Sequence, residues 1–462
     1  MNTPPSLLYR PADAALVTDL YQLTMMAAYW QTGRRPAATF EGFVRRLPAD
    51  RGYFVLAGLD AVVEYLLALR FDGSAVDWLR GLPQFAAVKP GFWEYLREFR
   101  FRGDLWAMPE GTVFFPNEPV VRITADLPEA QLPETYLLAS LHIQTLAASK
   151  AARVVQAAAG RPVLEFGLRR AHGPQAGIAA ARGAYVGGVS ATSNVFAGRA
   201  LGIPVSGTMA HAWIQAHDDE AAAFADFHSV FPQNTTALID TYDTVEGARR
   251  AARLGDGLSG VRLDSGDLGD LSRRVRSVLR GAGLDKARII ASSDLNEDAI
   301  TELLAGGAEI DVFAVGTDLV VSRDAPAISF VYKLTATREA DGRTVPRVKL
   351  APGKASWPNA KQVWRRIGPD GRMAEDVLAL AEEPAPPGTG WRPLLSQVIR
   401  GGQLIAPLPD LSAARSRAAE QVAALPAGVA RLRKPETHPV RPSPALQALH
   451  DRLLAERGLR TG

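Results

Sequence analysis

Arg262 and Asp264, which stand two apart in the stretch GVRLDSGDL (residues 260–268), form the pair in this chain best suited to chemistry. On an extended strand they share one face while Val261 and Leu263 share the other. Those apolar neighbours predict a buried strand, where an unpaired charge is costly. A surface ion pair worth ~0–1 kcal/mol is the plainer alternative. A buried Arg–x–Asp at a strand's end is better explained by an anionic ligand together with a metal or a developing cation. The other strand-like runs of this region end on groups of the same kind. Arg169 and Arg170 follow the first run, Ser190 and Thr192 the second, Thr208 and His211 the third, and Asp240 the fourth. Arg262 and Asp264 belong to the fifth, Ser293 and Asp294 follow the sixth, and Gly316 and Thr317 the seventh. Taken singly, Asp and Ser are accounted for as helix caps and Gly as a turn residue. Taken together, cations, carboxylates and a histidine at one mouth suit a substrate that carries phosphates and a divalent metal.

Such convergence requires the strands to end on one side of one sheet. The seven short apolar runs are Val163–Phe166, Ala184–Val189, Ile203–Ser206, Thr236–Ile239, Val261–Leu263, Arg288–Ser292 and Asp311–Val315. Most are separated by Ala-rich or charged helical stretches such as EAAAFADFHSVF and LSRRVRSVLRGAG. Alternating strand and helix means parallel strands with right-handed crossovers. This pattern predicts an irregular seven-stranded α/β barrel over residues 139–334, with chemistry where the strands end. An open doubly wound sheet is the alternative. Residues 1–138 predict a strand-rich α+β segment, with helices over 15–30, capped near Thr18 or Asp19, and over Ala57–Arg70, and a strand over Thr39–Arg46. Residues 335–462 read as short strands and turns, including VPRVKLAPGKAS and KQVWRRIGPDGRM, then a loop at EEPAPPG and a helical tail from about residue 410. They are expected to complete the N-terminal domain.

Several classes of function are excluded. The sequence GDGLSG at 255–260 matches a dinucleotide-binding glycine pattern, but it follows a helix and precedes a strand, the reverse of the order required. No P-loop motif is present, so any ATP is held by other means. The 462 residues carry a net charge of only +3 with arginines scattered along the chain, which gives no footprint for nucleic acid. With no cysteine, disulfides, thiolate metal sites and cysteine nucleophiles are ruled out. No apolar stretch approaches the ~20 residues of a membrane helix, and the N-terminus shows no secretory pattern, so a cytoplasmic location is expected.

Eight stretches resemble the nicotinate phosphoribosyltransferase family. They are TDLYQLTM at 18–25, TLAASKAARVV at 145–155, EFGLRRAHGP at 165–174, SATSNVFAG at 190–198, GIPVSGTMAHAW at 202–213, VRLDSGDL at 261–268, SSDLNE at 292–297 and VGTDLVVSRDAPAISFVYKL at 315–334. The resemblance implies a type II phosphoribosyltransferase barrel, a strand-rich domain built from both chain ends, and a homodimer with active sites at the interface. It implies an ATP-coupled, Mg²⁺-dependent reaction of nicotinate with phosphoribosyl diphosphate, giving nicotinate mononucleotide and diphosphate. His211 resembles the histidine that ATP phosphorylates. Tyr21 and Phe166 resemble the aromatics that sandwich the pyridine ring. Arg262 and Arg169 resemble contacts for the nicotinate carboxylate or the diphosphate, and Ser190 and Thr208 are further substrate-binding groups. Asp264, with Asp240 and Asp294, resembles the carboxylates that hold Mg²⁺ and the ribose. Gly316 and Thr317 resemble the cradle of the 5′-phosphate. Ala314 replaces a glycine common in the family, and Asn359-Ala360 replaces a glycine turn that Asn tolerates. A nicotinamide-using relative is the near alternative, but no carboxylate stands within SATSNV to accept an amide N–H. A non-catalytic nucleotide binder is the distant one, and retention of His211, Asp264 and Arg262 together argues against it.

Overall fold

The computed structural model describes residues 11–349 and 356–456, so the expected strand within VPRVKLAPGKAS lies partly outside the described residues. The chain divides into two compact units, Met1–His142 with Ala327–Gly462, and Ile143–Pro326. The second unit holds a curled parallel sheet that forms an open half-barrel. Its strands are β1 (Val163–Glu165), β2 (Ala191–Thr192), β3 (Thr235–Leu238), β4 (Leu258–Leu263), β5 (Arg288–Ser293) and β6 (Val312–Val315), in the order β2-β1-β6-β5-β4-β3. The register places Ile290 beside both Arg262 and Val312, and Ala314 beside Leu164, which in turn lies beside Ala191. Leu164, Ala191, Val312 and Ala314 accordingly form one buried cluster, with Phe166 and Ile290 packed against it. Ala314 is thus a core residue of the sheet, and its methyl group is accommodated there.

The sheet has six strands and is open, where seven strands and a barrel were expected. Two of the expected runs are not strands. Ala184–Val186 forms the last turn of the helix Pro174–Val186. That helix is buried because Gly183 and Gly187 let it approach the backbone at Gln144 and Ala148, where a Cβ would collide. An apolar run of this length reads alike for a buried strand and a buried helix. Ile203–Ser206 contributes a single bridge, Val205 to Thr192. Pro204 has no N–H to extend the ladder.

Helix caps account for a different set of polar residues from those expected at the mouth. Asn194, Asp219, Asp243, Asp267 and Asn296 cap the helices with side-chain hydrogen bonds to backbone N–H groups. Asp240 and Asp264 stand three residues upstream of two of these caps. Capping therefore does not explain them.

In the other unit, one antiparallel seven-stranded sheet takes strands from both ends of the chain. The strand Ala37–Val44 pairs with Pro119–Asp126 on one side and Phe330–Arg338 on the other, and Ser396–Arg400 joins Asp104–Ala107. The expected helices are found over Leu20–Gln31 and Leu59–Ala68. Asp19 occupies the N-cap position without a side-chain cap bond, and its carboxylate accepts instead from the Thr135 hydroxyl at 2.8 Å. Asn359 adopts the left-handed conformation (φ 62°), so the turn survives loss of the glycine. A buried arginine, Arg365 on the strand Lys361–Ile367, ties this unit together. It pairs with Asp376 at 2.6 Å, stands 3.8 Å from Glu118 and donates to the Val113 carbonyl at 2.7 Å. Replacement by methionine (Arg365→Met) leaves two buried carboxyl groups without their cation. The expected loss is about 3–5 kcal/mol of stability, read as a lower denaturant midpoint; an unchanged midpoint would show that Asp376 and Glu118 share a proton well enough without it.

Candidate active site

The C-terminal ends of β3, β4 and β5 meet around one guanidinium. Arg262, near the end of β4, donates from Nε to Ser292 Oγ (2.8 Å) and from Nη1 to Thr208 Oγ1 (3.0 Å) and the Met209 carbonyl (3.1 Å). From Nη2 it donates to Asp264 Oδ1 at 3.0 Å. An arginine has five N–H donors, so these four bonds leave one on Nη2. The strand alternation that put Arg262 and Asp264 on one face holds, and they pair with each other in a half-buried setting. Their side chains are 12% and 28% exposed, too enclosed for a solvated surface pair.

Asp264 also accepts a short hydrogen bond from Ser292. Burial works to raise its pKa, but the Ser292 hydroxyl and the Arg262 guanidinium together outweigh burial and hold it below the ordinary aspartate value. Stability from this carboxylate is therefore present above the usual aspartate range and is lost as pH falls through its depressed pKa. Its second oxygen faces His211, with Nε2 to Oδ2 at 3.7 Å, while His211 Nδ1 lies 3.0 Å from Thr241 Oγ1. Asp240, at the end of β3, accepts from the Asp264 backbone N–H (2.9 Å) and the Ser265 hydroxyl (2.6 Å). The other oxygen of Asp240 is buried without a hydrogen-bond partner.

A second group of the expected site residues is built on β1 and β6. Glu165 is fully buried and accepts from the Gly167 N–H and the Thr192 hydroxyl. Burial raises its pKa against those two donors. Phe166 follows it and packs on the sheet core. A Cβ at Gly167 would stand 2.7 Å from Val320 Cβ and 2.8 Å from the Gly316 carbonyl, so the Phe166 and Gly316–Thr317 turns touch only because residue 167 is glycine. Arg169 is exposed, with Nη1 donating to the Phe166 carbonyl at 3.3 Å. Ser190 is half-buried, its N–H bound to the Val163 carbonyl at 2.8 Å. Ser293 has φ 139°, a left-handed value that costs a non-glycine residue about 1–3 kcal/mol. Asp294 is exposed and lines a cavity of about 510 Å³ with Gly266, Asp267 and Leu295. Tyr21 belongs to the other unit, where it is 48% exposed and its hydroxyl donates to Glu134 at 3.3 Å.

Sequence reasoning missed Ser292, Thr241 and Ser265, all of which touch the central residues. Ser292 owes its place to strand register, which the sequence does not mark: the pairing of Ile290 with Arg262 puts Ser292 level with Asp264 on the same face. Thr241 and Ser265 lie in loops, where no periodicity marks them.

A half-barrel whose strand ends carry this charged cluster, in a chain whose other unit is built from both chain ends, is the architecture of the type II phosphoribosyltransferases. Family models for the N-terminal domain, the central family region and the C-terminal domain of nicotinate phosphoribosyltransferase match residues 16–142, 162–341 and 387–450. The chain is 47% identical to nicotinate phosphoribosyltransferase pncB2 of Mycobacterium tuberculosis, over 89% of this chain and 88% of that protein. It is 34% identical to human nicotinate phosphoribosyltransferase, over 96% and 98% of the two chains. The crystal structure of the human enzyme superposes with a TM-score of 0.83 at 32% identity, covering 94% of this chain and 99% of that one. A nicotinate-nucleotide pyrophosphorylase from Pyrococcus furiosus superposes with a TM-score of 0.72 at 27% identity, covering 91% and 98%. The chain belongs to the nicotinate phosphoribosyltransferase family.

Lysine cannot reproduce the guanidinium's planar fork of bonds to three loops. The Arg262→Lys protein should stay folded and lose about 10²–10³-fold in kcat/KM, as expected when charged hydrogen bonds worth ~1.5–3 kcal/mol each are removed. Activity within threefold of wild type would mean that the cluster is structural only.

Proposed function

We infer that this protein joins nicotinate to the phosphoribosyl group of phosphoribosyl diphosphate, giving nicotinate mononucleotide and diphosphate in NAD salvage, with ATP consumed. The observation that carries this reading is the Arg262–Asp264–His211 cluster at the strand ends of a chain 34–47% identical to nicotinate phosphoribosyltransferases. In the transfer, the pyridine nitrogen bonds to ribose C1 while the C1–O bond breaks and its electron pair leaves with diphosphate. Asp264, ionised across the physiological range, is suited to stabilise the oxocarbenium-like charge at C1. The single free Nη2 hydrogen of Arg262 supplies one hydrogen bond to substrate. The bidentate grip on the nicotinate carboxylate therefore falls to the more accessible Arg169, with the ring against Phe166. Gly316 and Thr317 receive the 5′-phosphate, Asp294 the ribose hydroxyls, and Ser190 and Thr208 line the mouth.

Mg²⁺ fits this donor set. The unpartnered oxygen of Asp240 is a hard ligand left without a proton to accept. Among the described residues no three His, Cys, Asp or Glu side chains form a complete metal cage. The ion would be held by one or two carboxylates, Asp264 and Asp240 or Asp294, with substrate phosphates completing the shell. When bound, it would neutralise charge on the leaving diphosphate. His211 is accessible enough to meet ATP, at 39% side-chain exposure. One of its ring nitrogens attacks the γ-phosphorus as the bond to ADP breaks, and water later takes the phosphoryl group. A homodimer is supported by exposed apolar side chains beside the mouth, Val195 (71%), Phe196 (60%) and Tyr242 (64%). Tyr21 is then the ring's second sandwiching aromatic, supplied by the partner subunit.

Assay of the purified protein should give nicotinate mononucleotide, stimulated by ATP, with nicotinamide used at least ~10³-fold less efficiently. γ-Labelled ATP should leave an acid-labile, base-stable label on His211, absent from His211→Ala. Label on His172 or on a serine would sink the phosphohistidine assignment, and equal use of nicotinamide would sink the substrate. Subunit mixing tests the partner's tyrosine. Tyr21→Ala and Asp264→Asn chains, each nearly inactive alone, should regain roughly a quarter of wild-type activity when randomly re-paired in equal amounts, since half the dimers then carry one intact site. No recovery from chains proven to exchange would place Tyr21 in its own subunit's site or in none.

A further inference from the structure

Outside the reacting cluster, the half-barrel unit buries a second set of charges that the mechanism above leaves unused. Lys150, on the long helix Glu134–Ala157, is 1% exposed. Its ammonium lies 2.6 Å from Glu297 Oε2, 2.9 Å from Asp324 Oδ1 and 3.7 Å from Asp318 Oδ1. One turn further along the helix, Arg153 Nε donates to the other oxygen of Glu297 at 2.9 Å. The carboxylates do not come from arbitrary places. Glu297 is the first residue of the helix that follows β5, three positions beyond Asp294. Asp318 is the second residue of the short helix that follows β6, next to Thr317, and Asp324 lies in the turn after that helix. A single buried cation thus grips the starts of two neighbouring crossover helices, whose preceding loops carry Asp294 in one case and Gly316–Thr317 in the other.

The energetics favour a positioning role over simple stabilisation. A buried ion pair gains little net stability, because desolvation of both charges offsets their attraction, and an apolar replacement of similar volume is often neutral. What a multivalent buried ion supplies is geometry, since each carboxylate has to stay within reach of one nitrogen. Burial opposes ionisation of Glu297, but Lys150, its own backbone N–H and Arg153 together outweigh burial and hold the pKa low. Asp318, more than an ångström further from the ammonium, is instead raised by its burial. The tether is therefore strongest at the Asp294 loop, with Asp324 securing the other side.

We propose that Lys150 is a positioning residue for phosphoribosyl diphosphate, its ammonium setting the spacing between the ribose-side loop at Asp294 and the phosphate-side loop at Gly316–Thr317. This rests on the assignment of those loops to phosphoribosyl diphosphate made above. It predicts a defect confined to that substrate. In Lys150→Met, the dissociation constant for phosphoribosyl diphosphate, measured by calorimetry, and its KM should both rise about tenfold or more, as misplacement of preorganised loops does. The KM for nicotinate, held largely by β1-side groups, should change less than twofold. A purely structural role would lower the melting temperature and leave the two KM values in their wild-type ratio. Because Lys150→Met removes the cation that three carboxylates share and can fail to fold, Asp324→Asn is the second arm. Its side chain is 32% exposed, and the folded variant should still weaken phosphoribosyl diphosphate by about threefold through loss of one ion pair. If wild-type protein binds phosphoribosyl diphosphate but Asp324→Asn, and any folded Lys150→Met, bind it equally well, the proposal is overturned alone. If wild-type protein binds none, the functional reading falls and the proposal with it.

Discussion

A guanidinium withdrawn from water has to find acceptors for its donors, and the four hydrogen bonds of Arg262 are the constraint around which the site is arranged. Its partners are Ser292 at the end of β5, Thr208 and Met209 in the loop before His211, and Asp264 on its own strand. These bonds tie one strand end and one loop to the end of β4. With Asp264 held from two sides, its remaining oxygen is aimed at His211, and the imidazole is steadied on its far side by Thr241. Asp240 holds the Asp264 backbone and the Ser265 hydroxyl with one oxygen and leaves the other unpaired. A charge network with one unsatisfied acceptor is poorly stabilised by itself and well suited to a cation that arrives with its substrate.

The pocket's other wall follows a steric rule. The turn after β1 and the turn after β6 are in backbone contact because Gly167 has no side chain, and the helix Pro174–Val186 approaches its neighbour through Gly183 and Gly187 in the same way. Glu165, fully buried, spends its two oxygens on the Gly167 N–H and the Thr192 hydroxyl. A buried carboxylate that is costly to ionise therefore shapes the turn after β1 through hydrogen bonds. The strained backbone at Ser293, next to Asp294, fits the general tendency of such strain to collect where a loop has to present a group to a ligand.

Much of this was legible in the chain itself. Alternation placed Arg262 and Asp264 on one face and strand–helix repetition gave a parallel sheet, because local periodicity and short-range sterics decide those features; that the strand-rich ends share one unit was expected from their composition but is fixed by long-range pairing of Ala37–Val44 with Phe330–Arg338. Asp240 and Asp264 were picked out by their position after strand-like runs before any distance was known, and the structure brings them together with His211 although the run before His211 is no strand. Tertiary structure decided what periodicity cannot encode. It turned Ala184–Val186 into a helix end, since an apolar run is buried equally well either way, and it left Ile203–Ser206 as a lone bridge, so the sheet has six strands and stays open. It also chose the partners. Whether Asp240 caps a helix or orients Asp264, and that Ser292 outranks its neighbour Ser293, depends on register between strands nearly thirty residues apart. Residue types were written locally. The hydrogen bonds that give them roles exist only once segments distant in sequence are packed within three ångströms of one another.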